Sequence, residues 1–421
     1  MPISPSFRHR LFPVLEAAAA AFGTPFHLYD ETGIRETGQR LAASFGALPG
    51  FREYFAVKAL PNPAILRLMH EMGFGFDCSS IPELVLSRKV GAASDAIMFT
   101  SNNTAPHEFE EAFDHGGCIL NLDDITLLEK LPSIPDLIAF RYNPGAIESS
   151  NRIIGDPAEA KFGVSRDQIE PAYRRAIELG VRRFGLHTMV VSNERNYQQM
   201  VRTTGMLLDQ VERLSAALGI RFEFINIGGG LGIPYRPDDA SLDLEALSVE
   251  ITRLMQAFES KHGYAPKLYM ESGRYMTGPH GVLVTRAINR KDTYRTYIGV
   301  DASMSALMRP AIYGAYHHID VVGKEGLTVS ETVDVVGSLC ENNDKFAVQR
   351  ALPRIQPGDL LVIHDTGAHG HSMGFTYNGR LRPQELLLRA DGSVERIRRA
   401  ETLDDYFATL NFEPRVFHDT P

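Results

Sequence analysis

Tryptophan is absent from this chain, and cysteine nearly so, with only Cys78, Cys118 and Cys340 among 421 residues. None of the three stands at a CxxC or other metal-like spacing, which argues against a disulfide scaffold or a zinc module and leaves free thiols in a reducing compartment as the expectation. No apolar run reaches about 18 residues, so no segment is expected to span a membrane. Basic charge is scarce as well. With 43 Lys and Arg against 52 Asp and Glu, the net charge is -9, and no cationic stripe is available to follow a nucleic-acid backbone. A small-molecule partner is expected instead.

Arg8-His9-Arg10 ahead of the apolar stretch 11–22 has the outline of a secretory signal. Glu16 interrupts it, however, and Pro13, the alanines 17–21 and Gly23-Thr24-Pro25 fit a short helix ended by a turn, so a cytoplasmic location is expected.

What the chain does contain is alternation. Short apolar runs at 54–59, 75–79, 96–101, 118–122, 137–142, 183–190, 224–228 and 268–272 are separated by amphipathic stretches at 63–72, 82–89, 107–115, 169–179, 197–218 and 244–261. Strand and helix alternating in this way make βα units, and eight of them are the number an α/β TIM barrel needs. After Gly278 the texture changes to closely spaced runs at 282–288, 328–336, 360–364 and 385–388, broken by Gly, Pro and Asp. That pattern predicts an antiparallel sheet or barrel, which the strand-like segment 26–29 could join. The expected division is a barrel at 31–278 and an all-β domain at 279–421, with residues 1–30 contributing a strand.

A barrel of this type carries its chemistry at the C-terminal ends of its strands. Unusual residues do stand there: Lys58, Asp77, Asn102, Arg141, His187, Gly228-Gly229-Gly230, and Glu271 with Arg274. Lys58, delivered by an apolar strand into an enclosed mouth, is expected to be a neutral amine able to attack an aldehyde. The glycine loop after the seventh run offers bare backbone N–H groups to a phosphate. Glu271 offers a carboxylate that would keep a pyridine nitrogen protonated. Taken singly, each has an ordinary structural explanation, such as a snorkelling lysine, a tight turn or a salt-bridged rim.

Taken in order, they form a pattern. The segment 54–59, Asp77-Cys78-Ser79-Ser80 with Glu83, Lys161-Phe162-Gly163, the Gly228 loop, Glu271-Ser272-Gly273-Arg274, Arg309-Pro310-Ala311-Ile312-Tyr313-Gly314, Cys340-Glu341-Asn342-Asn343-Asp344 and Tyr377-Asn378 resemble the ordered motifs of the alanine-racemase-fold (fold type III) pyridoxal-phosphate decarboxylases. Ornithine and diaminopimelate decarboxylases belong to that group, and the likeness runs from about Thr24 to about Leu388.

The resemblance implies a barrel plus a β domain, assembled as a homodimer with shared active sites and using pyridoxal 5'-phosphate. It makes Lys58 the Schiff-base lysine and Glu271 the partner of the pyridine nitrogen. Asp77, His187, Ser192, Gly228, Gly229, Gly230, Arg274 and Tyr377 complete the cofactor set. Cys340 would come from the partner subunit as the acid that returns a proton. Arg274, Arg309, Tyr313, Glu341 and Tyr377 would hold the far end of the substrate, and Glu341, where ornithine decarboxylases carry Asp, favours meso-diaminopimelate.

Five positions depart from the family pattern. The ring-stacking histidine falls at Met189, so Met189 or His187 would take that place. Ser272 replaces the usual proline before Gly273-Arg274. His369 stands where the family often has tyrosine, and Asn342-Asn343 replaces smaller residues beside Glu341. A decarboxylase of another amino acid, a racemase on the same fold and an inactive regulatory homologue are the alternatives.

Overall fold

Eight of the predicted apolar runs become strands, and they close on themselves. The computed structural model describes residues 3–114, 116–145 and 159–413. After an initial strand β1 (Phe26–Asp30), the chain forms β2 (Arg52–Ala56), β3 (Gly75–Cys78), β4 (Ile97–Phe99), β5 (Ile119–Leu122), β6 (Leu137–Arg141), β7 (Arg183–His187), β8 (Phe222–Asn226) and β9 (Lys267–Met270). Each of β2 to β9 pairs in parallel with the next, and β9 returns to β2 through Arg52↔Tyr269 and Glu53↔Met270, so the barrel has no free edge.

Alternation along each strand sends one set of side chains to the axis. Tyr54, Met98, Ile119, Ala139, Phe224 and Tyr269 pack there as one cluster. Gly185 makes room for it, since a Cβ at that position would lie 2.1 Å from the Phe224 ring. This plug leaves a cavity above it: Ala56, two residues beyond Tyr54 and on the same face, already lines the mouth.

The surrounding helices follow from their caps and periodicity. Helix Tyr197–Leu218 has the predicted bounds, starting where Asn196 caps the Gln198 N–H and ending at Gly219 with φ 69°. Its buried face runs through Met200, Leu207, Val211 and Leu214. The helix expected at 107–115 is Pro106–Asp114, and position 115 lies outside the described residues. The short helix expected ahead of the Gly23 turn forms as Leu15–Phe22, and a helix Pro5–Leu11 and a tight turn Phe12–Val14 precede it. Pro13 accounts for the break, because its ring fixes φ and clashes with the preceding turn. No described helix is long and apolar enough to cross a membrane.

The second domain is one nine-stranded sheet. It contains β1 together with β10 (Gly281–Asp292), β11 (Thr296–Val300), β12 (Ile319–Val321), β13 (Glu331–Val336), β14 (Lys345–Leu352), β15 (Leu360–Ile363), β16 (Gln384–Leu388) and β17 (Val394–Arg398). β1 sits between β10 and β16, as the strand-like segment 26–29 suggested. The sheet is mixed rather than antiparallel, because β1 runs parallel to β16 and β11 parallel to β13. Neither pair is joined by a hairpin, since the whole barrel intervenes in the first case and Arg309–Tyr313 with β12 in the second, so no tight turn forces the strands to reverse. The N-terminal helices cover one face of this sheet with Phe7, Leu11 and Leu15 against Leu28, Val282, Val284 and Leu386.

Glu385 on β16 ties the two domains together. Fully buried, it accepts from Tyr29 Oη at 2.6 Å and from Asn62 Nδ2 at 3.0 Å, and it pairs with Arg398. Burial opposes its charge, yet His371 and Arg398 outweigh burial and hold its pKa down to about 2. A depressed carboxylate contributes stability above its unfolded value of 4.5 and loses it as the pH falls toward about 2. Glu385→Leu is therefore expected to cost about 3 kcal/mol in urea unfolding near neutral pH, and the gap from the unsubstituted protein should narrow as the medium is acidified through that window. A gap independent of pH would contradict this role for Glu385.

Candidate active site

Lys58 lies just past β2 in a short turn, Val57–Ala59, with its amine 3.0 Å from Asp77 Oδ2 at the end of β3. It stands at depth in a cavity of about 490 Å³, yet 51 % of its side-chain surface faces that open space. The enclosed, neutral amine expected from sequence is not what forms. Burial does favour the neutral form, but the carboxylates of Asp77 and Glu271 outweigh it and raise the Lys58 pKa above its ordinary value.

Those two carboxylates differ from each other. Asp77, 1 % exposed, is pushed up by burial and by the neighbouring charge of Glu271, with Lys58 opposing. Glu271 sits just past β9, and burial acts against its charge too, but His187, Lys58 and Asn226 together hold it below the usual carboxylate range. Its Oε1 accepts from Asn226 Nδ2 at 2.7 Å, and Oε2 lies 3.3 Å from His187 Nε2. Glu271 is thus an ionised acceptor in the cavity wall. Asn226, a polar residue closing the apolar strand β8, was missed in the sequence, although its place directly before the glycine loop could have marked it.

The loops after β7 and β8 are zipped together, with Glu194 N–H donating to Gly230 O and Gly232 N–H to Glu194 O, both at 2.8 Å. Ser192, Gly229 and Gly230 line the cavity and Gly228 does not. The glycines answer first to packing. A Cβ on Gly229 would lie 2.4 Å from Glu271 O, and one on Gly230, at φ 105°, would lie 2.7 Å from Val191 O. Nor are the loop's first N–H groups bare, as the sequence suggested: Gly228 donates to Asn226 Oδ1 at 2.9 Å and Gly229 to Met189 Sδ at 3.2 Å. Met189 and His187 both line the cavity, and His187 is the one committed to Glu271.

Asn102, Arg141, Arg274, Arg309 and Tyr313 line the same space. Arg141 is 3.5 Å from Asp123, and its pKa is lowered by burial. Arg309 and Tyr313 bracket a one-turn helix, which places both at the cavity as their i,i+4 spacing implied. Among the described residues neither Arg274 nor Arg309 has a carboxylate partner; each donates to the Tyr235 hydroxyl, at 2.7 and 2.8 Å. Several buried polar atoms around the cavity also lack a partner among the described residues: Asp77 Oδ1, Asn102 Nδ2 and His187 Nδ1. Orphaned polar groups and uncompensated guanidiniums in one pocket describe a site shaped for a polar, anionic ligand.

Cys340, Glu341 and Tyr377 are not among the residues lining this cavity. They gather elsewhere. Cys340 N–H donates to Asn378 Oδ1 at 2.6 Å, which brings its turn against Tyr377–Gly379, and Cys340 and Tyr377 are both exposed. Glu341 caps its own turn by accepting from Asn343 N–H at 3.0 Å.

Comparison with known proteins agrees with this geometry. Residues 33–278 match the family model described as the pyridoxal-binding domain of pyridoxal-dependent decarboxylases. The chain is 49 % identical to Protein TabA of Pseudomonas amygdali pv. tabaci over 422 residues, covering 100 % of this chain and 99 % of that protein. It is 38 % identical to the diaminopimelate decarboxylase of Methanothermobacter thermautotrophicus, covering 94 % of each. The solved structure of diaminopimelate decarboxylase from M. jannaschii in complex with L-lysine superposes with a TM-score of 0.86 at 30 % identity over 93 % of each chain. Lysine/ornithine decarboxylase of Vibrio vulnificus shares the fold at 19 % identity with a TM-score of 0.76, covering 92 % of this chain and 99 % of that one.

Because Asp77 is a principal cause of the raised Lys58 pKa, removing its charge should lower that pKa. Labelling of Lys58 by an amine-specific reagent, followed by mass spectrometry across alkaline pH, is expected to show the midpoint moving down in Asp77→Asn. An unmoved midpoint would refute the assignment.

Proposed function

The chain belongs to the pyridoxal-dependent decarboxylases, and from that premise we propose that it decarboxylates meso-2,6-diaminopimelate to L-lysine and carbon dioxide. One observation carries the choice of substrate. Arg309, 3 % exposed, faces the cavity with only a phenol and an imidazole as hydrogen-bond partners among the described residues, so its charge is left to be met by a ligand. A buried cation without a counter-charge is costly, and a substrate with a second carboxylate supplies one with bidentate geometry. The named diaminopimelate decarboxylases among the relatives support the same substrate.

The residues of the cavity fit pyridoxal phosphate. Lys58 offers the amine that would hold its aldehyde carbon, and the ionised Glu271 offers an acceptor for a protonated ring nitrogen. Ser192, Gly229 and Gly230 are the residues that would hold its phosphate. When bound, the cofactor supplies an electron sink conjugated to the substrate's α-carbon. The chain's own contribution is positional. Asn226 and His187 keep Glu271 charged, Asp77 orients the Lys58 amine, and Arg309 with Tyr313 holds the far carboxylate so that the carboxylate to be lost lies in the mouth. Carbon dioxide departs, and Lys58 or Cys340 returns a proton to the α-carbon.

Cys340, Glu341 and Tyr377, grouped on a surface apart from this cavity, fit a homodimer in which one copy completes the site of the other. Three unpaired thiols fit a reducing, cytoplasmic setting. A second reading, decarboxylation of a related amino acid, draws on Met189 and His369. Both line the cavity, and His369 is kept neutral by burial and by Arg274, Arg309 and Lys58.

Carbon dioxide release from meso-diaminopimelate, lysine and ornithine, measured side by side, decides between them. Diaminopimelate is expected to be preferred, and Arg309→Met to erase the preference by raising KM about a hundredfold. Equal rates on all three, or preference for ornithine, would reject the proposal. Mixing Lys58→Ala with Cys340→Ala protein should restore roughly a quarter of the activity if the sites are shared between copies. No recovery would mean that each copy works alone.

A further inference from the structure

Arg309 is held from behind. Its Nη1 donates to Tyr235 Oη at 2.8 Å and to His317 Nε2 at 3.1 Å, and the same Tyr235 oxygen accepts from Arg274 Nη1 at 2.7 Å. Neither Tyr235 nor His317 is among the residues lining the cavity. His317 is completely buried, with Nδ1 at 2.7 Å from the backbone oxygen of His364. That oxygen can only accept, so Nδ1 carries the proton and Nε2 is left as the acceptor Arg309 needs. Burial and the Arg309 charge push His317 down to about 3, so it stays neutral at any working pH. His364 in turn leans on Asp320 at 2.9 Å, and Asp320 pairs with Arg8 in the N-terminal helix.

The chemistry of these partners is selective. A carboxylate in either place would orient the arginines equally well, but it would neutralise them and cancel their attraction for an anion. A phenol and a neutral imidazole orient without neutralising. The single phenolic oxygen also sets the spacing of two like charges that would otherwise move apart.

We propose that Tyr235 and His317 are positioning residues for substrate selection, holding Arg274 and Arg309 at a fixed separation with their charge unspent so that a far-end carboxylate is recognised. The inference rests on the substrate reading above and adds to it where the selectivity is built. Tyr235→Phe removes the shared acceptor; His317→Leu removes the second, and His317→Gln keeps an acceptor oxygen at that position.

Each holoenzyme is assayed for kcat and KM with meso-diaminopimelate and with lysine, which lacks the second carboxylate. Binding of pimelate, a dicarboxylate without amines, is measured by calorimetry. Tyr235→Phe and His317→Leu are expected to raise KM for diaminopimelate and weaken pimelate about ten- to hundredfold. They should leave kcat within about threefold and the lysine KM unchanged, a pattern that general loosening of the fold would not give. His317→Gln should recover most of the loss. If the unsubstituted enzyme shows no preference for diaminopimelate over lysine, the substrate reading fails and takes this inference with it. If it shows that preference and both variants keep it, the inference alone is overturned.

Discussion

The site depends on a cluster of opposite charges removed from water at the mouth of the barrel. Asp77 and Glu271 are both buried carboxylates, and two such groups in one pocket cannot share it as bare anions without large cost. Lys58 is the nearest compensation for Asp77, while His187 and Asn226 serve Glu271. Each carboxylate is therefore sorted to a different condition by its neighbours, one raised and one lowered. Divergent environments for paired acids are how one pocket supplies both an orienting group and a permanent anion. The amine between them is kept charged by the pair.

Holding that amine in place is a task shared by both domains. The turn that carries Lys58 is gripped from the β domain: Ala59 O accepts from His369 N–H at 2.9 Å and from Ser372 Oγ at 3.3 Å, and Pro61 O accepts from Arg398 Nη2 at 3.1 Å. Asn62, four residues past the lysine, caps the next helix and donates to the buried Glu385. A lysine at a strand end would otherwise sample many rotamers, and fixing its backbone is the cheaper way to confine it. The second domain thus confines Lys58 through the turn it clamps, and Glu385, remote from the cavity, belongs to that clamp as much as to the fold.

Much of this was legible in the chain. Alternating periodicity marks all eight barrel strands, and the strand-like segment 26–29 marks β1 as part of the distant sheet, because apolar patterning is local and burial obeys it. Lys58, Asp77, His187, Glu271, Arg274, Arg309 and Tyr313 were visible as charged or aromatic residues at strand ends or in motifs, and they meet in one cavity. What escaped notice depends on contacts distant in sequence. The parallel pairing of β1 with β16 joins segments separated by the entire barrel, and strand propensity is silent on direction. The protonation of Lys58 was misjudged because burial alone was weighed, whereas the sum over Asp77 and Glu271 exists only after folding. Tyr235 and His317 carry no spacing signal, since each earns its place by reaching Arg309 from another element.

Two classes of cation therefore share the cavity, and their difference orders the ligand. Lys58 is matched by carboxylates, so it exerts little net pull on an anion. Among the described residues Arg274 and Arg309 are matched only by neutral acceptors, so their attraction is undiminished and is magnified by the low dielectric around Arg309. A ligand carrying both amines and carboxylates is aligned by this arrangement, with an amine toward the Lys58, Asp77 and Glu271 cluster and a carboxylate toward the arginines. Meso-diaminopimelate carries an ammonium and a carboxylate at each end, so charge fixes the direction of its long axis, while the choice between its two ends falls to their opposite configurations. Alignment is thus imposed before any bond is made, by charge left uncompensated in one part of the pocket and compensated in the other.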